Sequence, residues 1–208
     1  MIPVKILAVR YLANATPALC DALNISRETP SLGLITTDCD DATYIALDAA
    51  TKAAEVEVVY GRSFYAGAAN ASTPNAGEVI SIVAGSTPGA VRSGMEAAIS
   101  ALERLGFEDL GGVPCLAHTV SSIGSFLAKE AGVSTGTALA YLIAPPLEGM
   151  YAMDAALKAA DVSLCKLYAP PTETNFGGGL LSGTRSACEA ACAAFREAVR
   201  SVATAPIE

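Results

Sequence analysis

Hydrophobic and polar positions along this chain fall into short runs whose period alternates between two residues and three to four. Val4 to Leu12 reads as a strand and Leu32 to Thr36 as a short buried one. From Ala42 to Ala54 the spacing is helical, with Ile45, Ala49 and Ala53 on one face. Glu55-Val56-Glu57-Val58 alternates strictly, as a half-buried strand does, and Val79 to Val83 is another strand. Pro88 then opens a helix to Leu105, capped by Ser86 or Thr87 and stopped by Gly106. Downstream the order returns: strands at Val113 to Val120 and Ala138 to Ile143, then a helix from Gly149 to Ala160. Strands at Val162 to Tyr168 and Leu180 to Leu181 and a helix from Arg185 to Val202 complete it. Ser63 to Gly77 and Ala169 to Gly179 are left as long loops at equivalent places, and long loops in compact domains commonly carry function.

The recurrence is one of residues as well as of pattern. Leu47-Asp48-Ala49-Ala50-Thr51-Lys52-Ala53-Ala54-Glu55-Val56 matches Met153-Asp154-Ala155-Ala156-Leu157-Lys158-Ala159-Ala160-Asp161-Val162 at seven of ten positions, at an offset of 106 residues. Val4 to Ala8 parallels Val113 to Ala117 more loosely. The chain therefore divides into two copies of one mixed unit, residues 1–107 and 108–208, joined across Gly106 to Gly112. The fold class is α/β in the broad sense, an α+β, ferredoxin-like arrangement used twice.

Composition narrows the function. Hydrophobic residues make up 52% of the 208 and charged ones only 16%, and the mean hydropathy is +0.42. Much of that content is Ala and Gly, which let elements approach closely, so burial in an oligomer is the first explanation. A membrane span needs about 18 apolar residues in a row, and the best run, Ala138 to Pro146, is far shorter. The start, Met1 to Leu23, is faintly like a signal peptide, but Arg10 interrupts it and Asn14 and Pro17 follow, so it reads as a strand and turn. A net charge of −8 with no basic run excludes a phosphate-tracking nucleic-acid binder and suits small cations. The six cysteines form no Cys-x-x-Cys pair, which points to reduced thiols in the cytoplasm.

Thr37-Asp38-Cys39-Asp40-Asp41 crowds three carboxylates behind a strand. One of them, Asp40 or Asp41, suffices to cap the next helix; the surplus suits either a solvated turn or a ligand-facing site. Asn175-Phe176-Gly177-Gly178-Gly179 sets an aromatic before three glycines, without the Lys and spacing of a phosphate loop. His118 is the single histidine and sits mid-strand, where a structural role outweighs a catalytic one. Cys188 and Cys192 share a helix face as buried thiols would, and neither a zinc quartet nor a Gly-x-Ser-x-Gly elbow is present. Two function classes are open from these residues: a soluble ligand-sensing regulator of two ferredoxin-like units, and a small enzyme pairing His118 with a cysteine.

The Asp-Ala-Ala-x-Lys-Ala-Ala-x-Val block resembles the signature of bacterial microcompartment shell domains. Further segments resemble the tandem-domain shell proteins of ethanolamine-degrading compartments: Ser31-Leu32-Gly33-Leu34-Ile35, Asp40-Asp41-Ala42-Thr43-Tyr44-Ile45, Val58-Val59-Tyr60-Gly61-Arg62-Ser63, Tyr65-Ala66-Gly67-Ala68-Ala69, Ala144-Pro145-Pro146-Leu147-Glu148 and Glu173-Thr174-Asn175. The likeness runs in order through nearly the whole chain. It implies two circularly permuted shell domains, a homotrimer shaped as a pseudo-hexamer, and lateral contact with neighbouring shell proteins in a two-dimensional sheet. It further implies a cytoplasmic compartment shell as location, no catalysis and no cofactor. Lys52 and Lys158 would stand at the tile edges. Asp40, Asp41, Glu78 and Phe107 would line a small pore taking ethanolamine or a similar cationic metabolite. Tyr65, Asn70, Asn175, Phe176 and Gly177 would belong to loops gating a central pore, and a corrinoid is a candidate ligand.

Overall fold

The computed structural model describes residues 1–64, 77–170, 172–174 and 176–207. Along the chain run β1 (Ile2–Pro3), β2 (Ile6–Leu12), α1 (Pro17–Leu23), β3 (Ser31–Thr37), α2 (Asp40–Ala53), β4 (Val56–Phe64), β5 (Glu78–Gly85) and α3 (Pro88–Leu102). They are followed by β6 (Gly106–Asp109), β7 (Pro114–Val120), α4 (Ser125–Ala131), β8 (Ala138–Ala144), α5 (Pro146–Ala159), β9 (Val162–Tyr168), β10 (Gly177–Gly183) and α6 (Arg185–Thr204). No helix among the described residues is long and apolar enough to cross a membrane.

Two compact units result. One comprises Pro3–Leu105 together with Gly124–Leu127; the other comprises Met1–Ile2, Gly106–Ile123 and Ala128–Glu208. The first is built on a four-stranded sheet ordered β2-β3-β5-β4. The second has six strands ordered β1-β6-β7-β8-β10-β9, so its last four repeat the first sheet's order. The 14-residue helices α2 and α5 and the seven-residue helices α1 and α4 occupy the same places in the order. Duplication in sequence is thus duplication in topology.

Local chemistry explains most boundaries. The hydroxyls of Thr16, Thr87 and Thr184 cap α1, α3 and α6, accepting from the N–H of Leu19, Ala90 and Ala187. Pro17 and Pro88 stand in the first turns, where a missing N–H costs nothing. α3 ends at Leu102, before Gly106, which instead opens β6. A Cβ at Gly106 would lie 2.3 Å from the Ile2 carbonyl oxygen, so glycine is what lets β1 lie alongside. In the first unit, Gly33 likewise makes room for Met95 of α3, 2.7 Å from where its Cβ would be. In the second, Leu142, Leu181, Phe195, Met153 and Val199 form a closed core between sheet and helices.

Candidate functional site

The acidic turn sits where β3 passes into α2. The Thr37 hydroxyl accepts from the Cys39 N–H at 3.2 Å, and the Thr43 hydroxyl donates to the Cys39 carbonyl at 2.7 Å. Asp38 is tied to β2, accepting the Lys5 N–H at 2.7 Å while its own N–H reaches the Lys5 carbonyl at 3.1 Å. The N-cap of α2 is Cys39, which makes no side-chain cap bond. Neither Asp40 nor Asp41 is the cap: both lie in the first turn, 4% and 7% exposed. Near the positive end of a helix an acidic side chain is favoured even without capping.

Glu78, at the head of β5 and 3% exposed, joins them, because the Asp40 N–H donates to the Gly77 carbonyl at 3.0 Å. Burial pushes the Asp40 carboxyl up to about 6, against the pull of the Ser63 hydroxyl and nearby N–H groups. Burial, then the Asp38 carboxylate, raises Glu78 above the usual carboxylate range. Among the described residues, Asp40 Oδ1 and Glu78 Oε1 are buried without a hydrogen-bond partner. Such orphans cost free energy in a folded core. The Ser63 hydroxyl also meets the Tyr44 hydroxyl at 2.8 Å. Tyr44 and Ser63 thus belong to the site; Tyr44 is four residues beyond Asp40 on the same helix face, the signal that locates it.

Phe107 is fully buried in β6 of the other unit, its ring edge-on to Phe176 with centroids 5.7 Å apart. Gly177 was expected in a flexible loop, and it is not in one. It begins β10, opposite Ala144 of β8. The glycine run there serves close packing: a Cβ at Gly177 would meet Pro170 at 2.7 Å, and one at Gly178 would fall 1.9 Å from the Leu142 oxygen. Tyr65, Asn70 and Asn175 lie outside the described residues.

Lys52 and Lys158 are ion-paired within their helices, to Asp48 at 3.3 Å and Asp154 at 2.5 Å. The pairs differ in setting. Asp48 is buried and accepts the N–H groups of Gly124 at 2.7 Å and Leu127 at 3.0 Å, whereas the Asp154 side chain is 65% exposed. Nothing in the sequence block distinguished the two copies. His118 lies opposite Tyr141 in the β7–β8 pair. Burial keeps the Cys39, Cys188 and Cys192 thiols above their ordinary range and pushes Cys115 up to about 12, the reverse of what a nucleophilic thiolate requires.

The duplicated α/β unit, with a lysine repeated in α2 and α5, is the tandem fold of microcompartment shell proteins, as comparison with known proteins shows. Residues 31–110 match the bacterial microcompartment (BMC) domain. The chain is 56% identical over 207 residues to the shell protein EutL of Clostridium perfringens, spanning 98% of this chain and 95% of that one. The monoclinic crystal structure of EutL from that organism superimposes with a TM-score of 0.94 at 55% identity, over 100% of this chain and 96% of that one. The structure of the ethanolamine utilization protein EutL from Leptotrichia buccalis gives 0.94 at 52% identity, over 100% and 97% of the two chains. The chain belongs to the EutL family of bacterial microcompartment shell proteins.

Proposed function

We propose that this protein is a trimeric tile of an ethanolamine-degrading compartment's shell, and that its acidic site takes protonated ethanolamine or a similar small ammonium ion. The observation that carries the ligand reading is the pair of unpartnered, buried oxygens of Asp40 and Glu78. An ammonium supplies three donors and a charge, and relieves both deficits at once. At about 4 Å from one carboxylate it gains roughly 4 kcal/mol at an effective dielectric near 20, before desolvation. A hydroxyl on the same small molecule can engage the Tyr44 and Ser63 hydroxyls. Binding of this kind is weak enough to release the metabolite, as passage through a shell demands.

Two copies of one unit per chain support the trimer, since three chains then present six equivalent units around a ring. In that ring each unit is one shell domain, α2 and α5 bring Lys52 and Lys158 to the edges, and the stretches holding Tyr65 with Asn70 and Asn175 with Phe176 border a gated centre. The protein acts by placement and selective passage, with no bond made or broken.

Calorimetry tests the ligand reading. The parent protein should bind ethanolamine in a salt-sensitive way, and Asp40→Asn with Glu78→Gln should weaken binding about tenfold or more, as loss of charged hydrogen bonds does. Equal affinity in the two proteins would return these carboxylates to a purely structural role.

A further inference from the structure

Charge of one sign surrounds the acidic site. From α2 come the carboxyls of Asp40 and Asp41 and the Tyr44 phenol, whose hydroxyl meets Ser63 of β4. The turn before α2 adds Asp38 and the Cys39 thiol, and the head of β5 adds Glu78. Gly124–Leu127, whose Phe126 ring packs against Tyr44, carries no charged side chain. The bases on these elements are engaged elsewhere or exposed. Arg62 lies over the Tyr60 ring, 5.6 Å from its centroid, and Lys52 pairs with Asp48 at 3.3 Å. Lys5 is exposed and gives Asp38 only its backbone N–H, at 2.7 Å.

Empty and fully ionised, such a site is costly. Asp40 and Glu78 are almost wholly buried, and Asp40 Oδ1 and Glu78 Oε1 have no hydrogen-bond partner. Neighbouring carboxylates repel, and an ionised carboxylate can only accept hydrogen bonds. One proton on the pair removes a charge and supplies a donor. Burial acts in the same direction, holding the Asp40 carboxyl near 6 instead of 3.8 and keeping Glu78, beside Asp38, above its ordinary range. The Cys39 thiol is raised by burial and by the three aspartates, so it stays neutral and does not join the exchange. A small ammonium ion brings what the proton brings, one positive charge and donors, to the same two unpartnered oxygens.

We propose, building on the reading of this site as an ammonium site, that a proton and the ammonium ion compete for it: the empty site holds a proton on Asp40, and the entering cation displaces that proton to solvent. The exchange conserves charge. A carboxylic acid and an ammonium ion become a carboxylate–ammonium pair and one free proton. An alkyl ammonium keeps its own proton well above neutral pH, so the titrating partner is the protein. Occupancy is thereby linked to pH. Acid fills the site with protons and shuts out cationic metabolites, and neutral solution frees it for them.

Calorimetric titration of the full chain with ethanolamine hydrochloride counts the proton. The heat is measured at pH 5.5 in acetate and in MES, whose own heats of protonation differ, and at pH 8 in phosphate and in Tris. About three-quarters of a proton should leave per ethanolamine bound at pH 5.5 and almost none at pH 8, and Kd should be about tenfold higher at pH 5 than at pH 8. Asp40→Asn keeps every other carboxylate and should release far less than the parent at pH 5.5. Infrared difference spectra give a readout independent of affinity: saturating ethanolamine at pH 5.5 should remove a protonated-carboxyl band from the parent and none from the variant. Circular dichroism shows both proteins folded at each pH. Binding at pH 8 without proton release or band loss at pH 5.5 overturns the competition and leaves the ammonium site standing. Release or band loss as large in Asp40→Asn as in the parent overturns the assignment to Asp40. A folded parent that binds no ethanolamine at pH 8 overturns the ammonium site itself, and the competition with it.

Discussion

Asp40 shows what one buried carboxylate contributes to a site. Raising its pKa from the ordinary 3.8 to about 6 amounts to about 3 kcal/mol of cost once it is ionised. Well below pH 3.8 it is neutral in folded and unfolded chains alike, and the cost is absent. As the pH climbs from about 3.8 to about 6 the unfolded chain ionises this group while burial keeps it protonated in the folded one, so stability falls over that window and levels off above it. Asp40→Asn should accordingly stabilise the protein at pH 8 by up to about 3 kcal/mol and leave it nearly unchanged near pH 3, as read by denaturant titration. Ethanolamine should raise the parent's stability at pH 8 and not that of the variant. A variant less stable than the parent at pH 8 would contradict this account. The carboxylates themselves were legible as a surplus in Thr37-Asp38-Cys39-Asp40-Asp41. Their burial was not, because the alternatives of cap and ligand site differ only in what closes over the first turn of α2. That closure involves Gly77 and Ser63, which are distant in sequence.

Among the elements, the paired helices α2 and α5 carry the clearest sequence signal and the clearest divergence. Seven of ten matching residues announce one helix used twice, and both helices form. Their aspartates nevertheless do different work. Asp48 is buried and holds two backbone N–H groups, while Asp154 faces solvent. Asp48→Ala leaves those donors unsatisfied and should cost about 2–4 kcal/mol; Asp154→Ala removes an exposed ion pair and should cost under about 0.5 kcal/mol. Equal effects in thermal or chemical unfolding would mean that α4's anchorage on α2 contributes little. The long strands and helices followed from periodicity. The short helices α1 and α4 and the strands β1 and β6 did not, since seven residues are barely two helical turns and two to four residues show no strand alternation. Gly177 to Gly179 misled for a related reason: glycine marks a mobile turn and a tightly packed strand equally well, and here the neighbouring Leu142 and Pro170 settle the matter.

At the scale of the molecule, duplication sets the logic. One unit written twice need not bury the same face twice: Leu147, Met150 and Tyr151 of α5 are exposed, whereas Asp41 and Ile45 at the matching places of α2 are buried. The two-fold repeat was plain from the sequence. The placement of Gly124–Leu127 with the first unit was not, because no local pattern tells a segment which of two like helices it will cover. The net charge of −8 and the 52% hydrophobic content suit the proposed tile, whose sides would pack against copies and whose acidic site would meet cationic metabolites. Negative-stain electron microscopy of the purified full chain at micromolar concentration bears on this most directly. Three-chain particles of sixfold outline that pack edge to edge into hexagonal sheets are the predicted result. Isolated single-chain particles that form no sheet would contradict it.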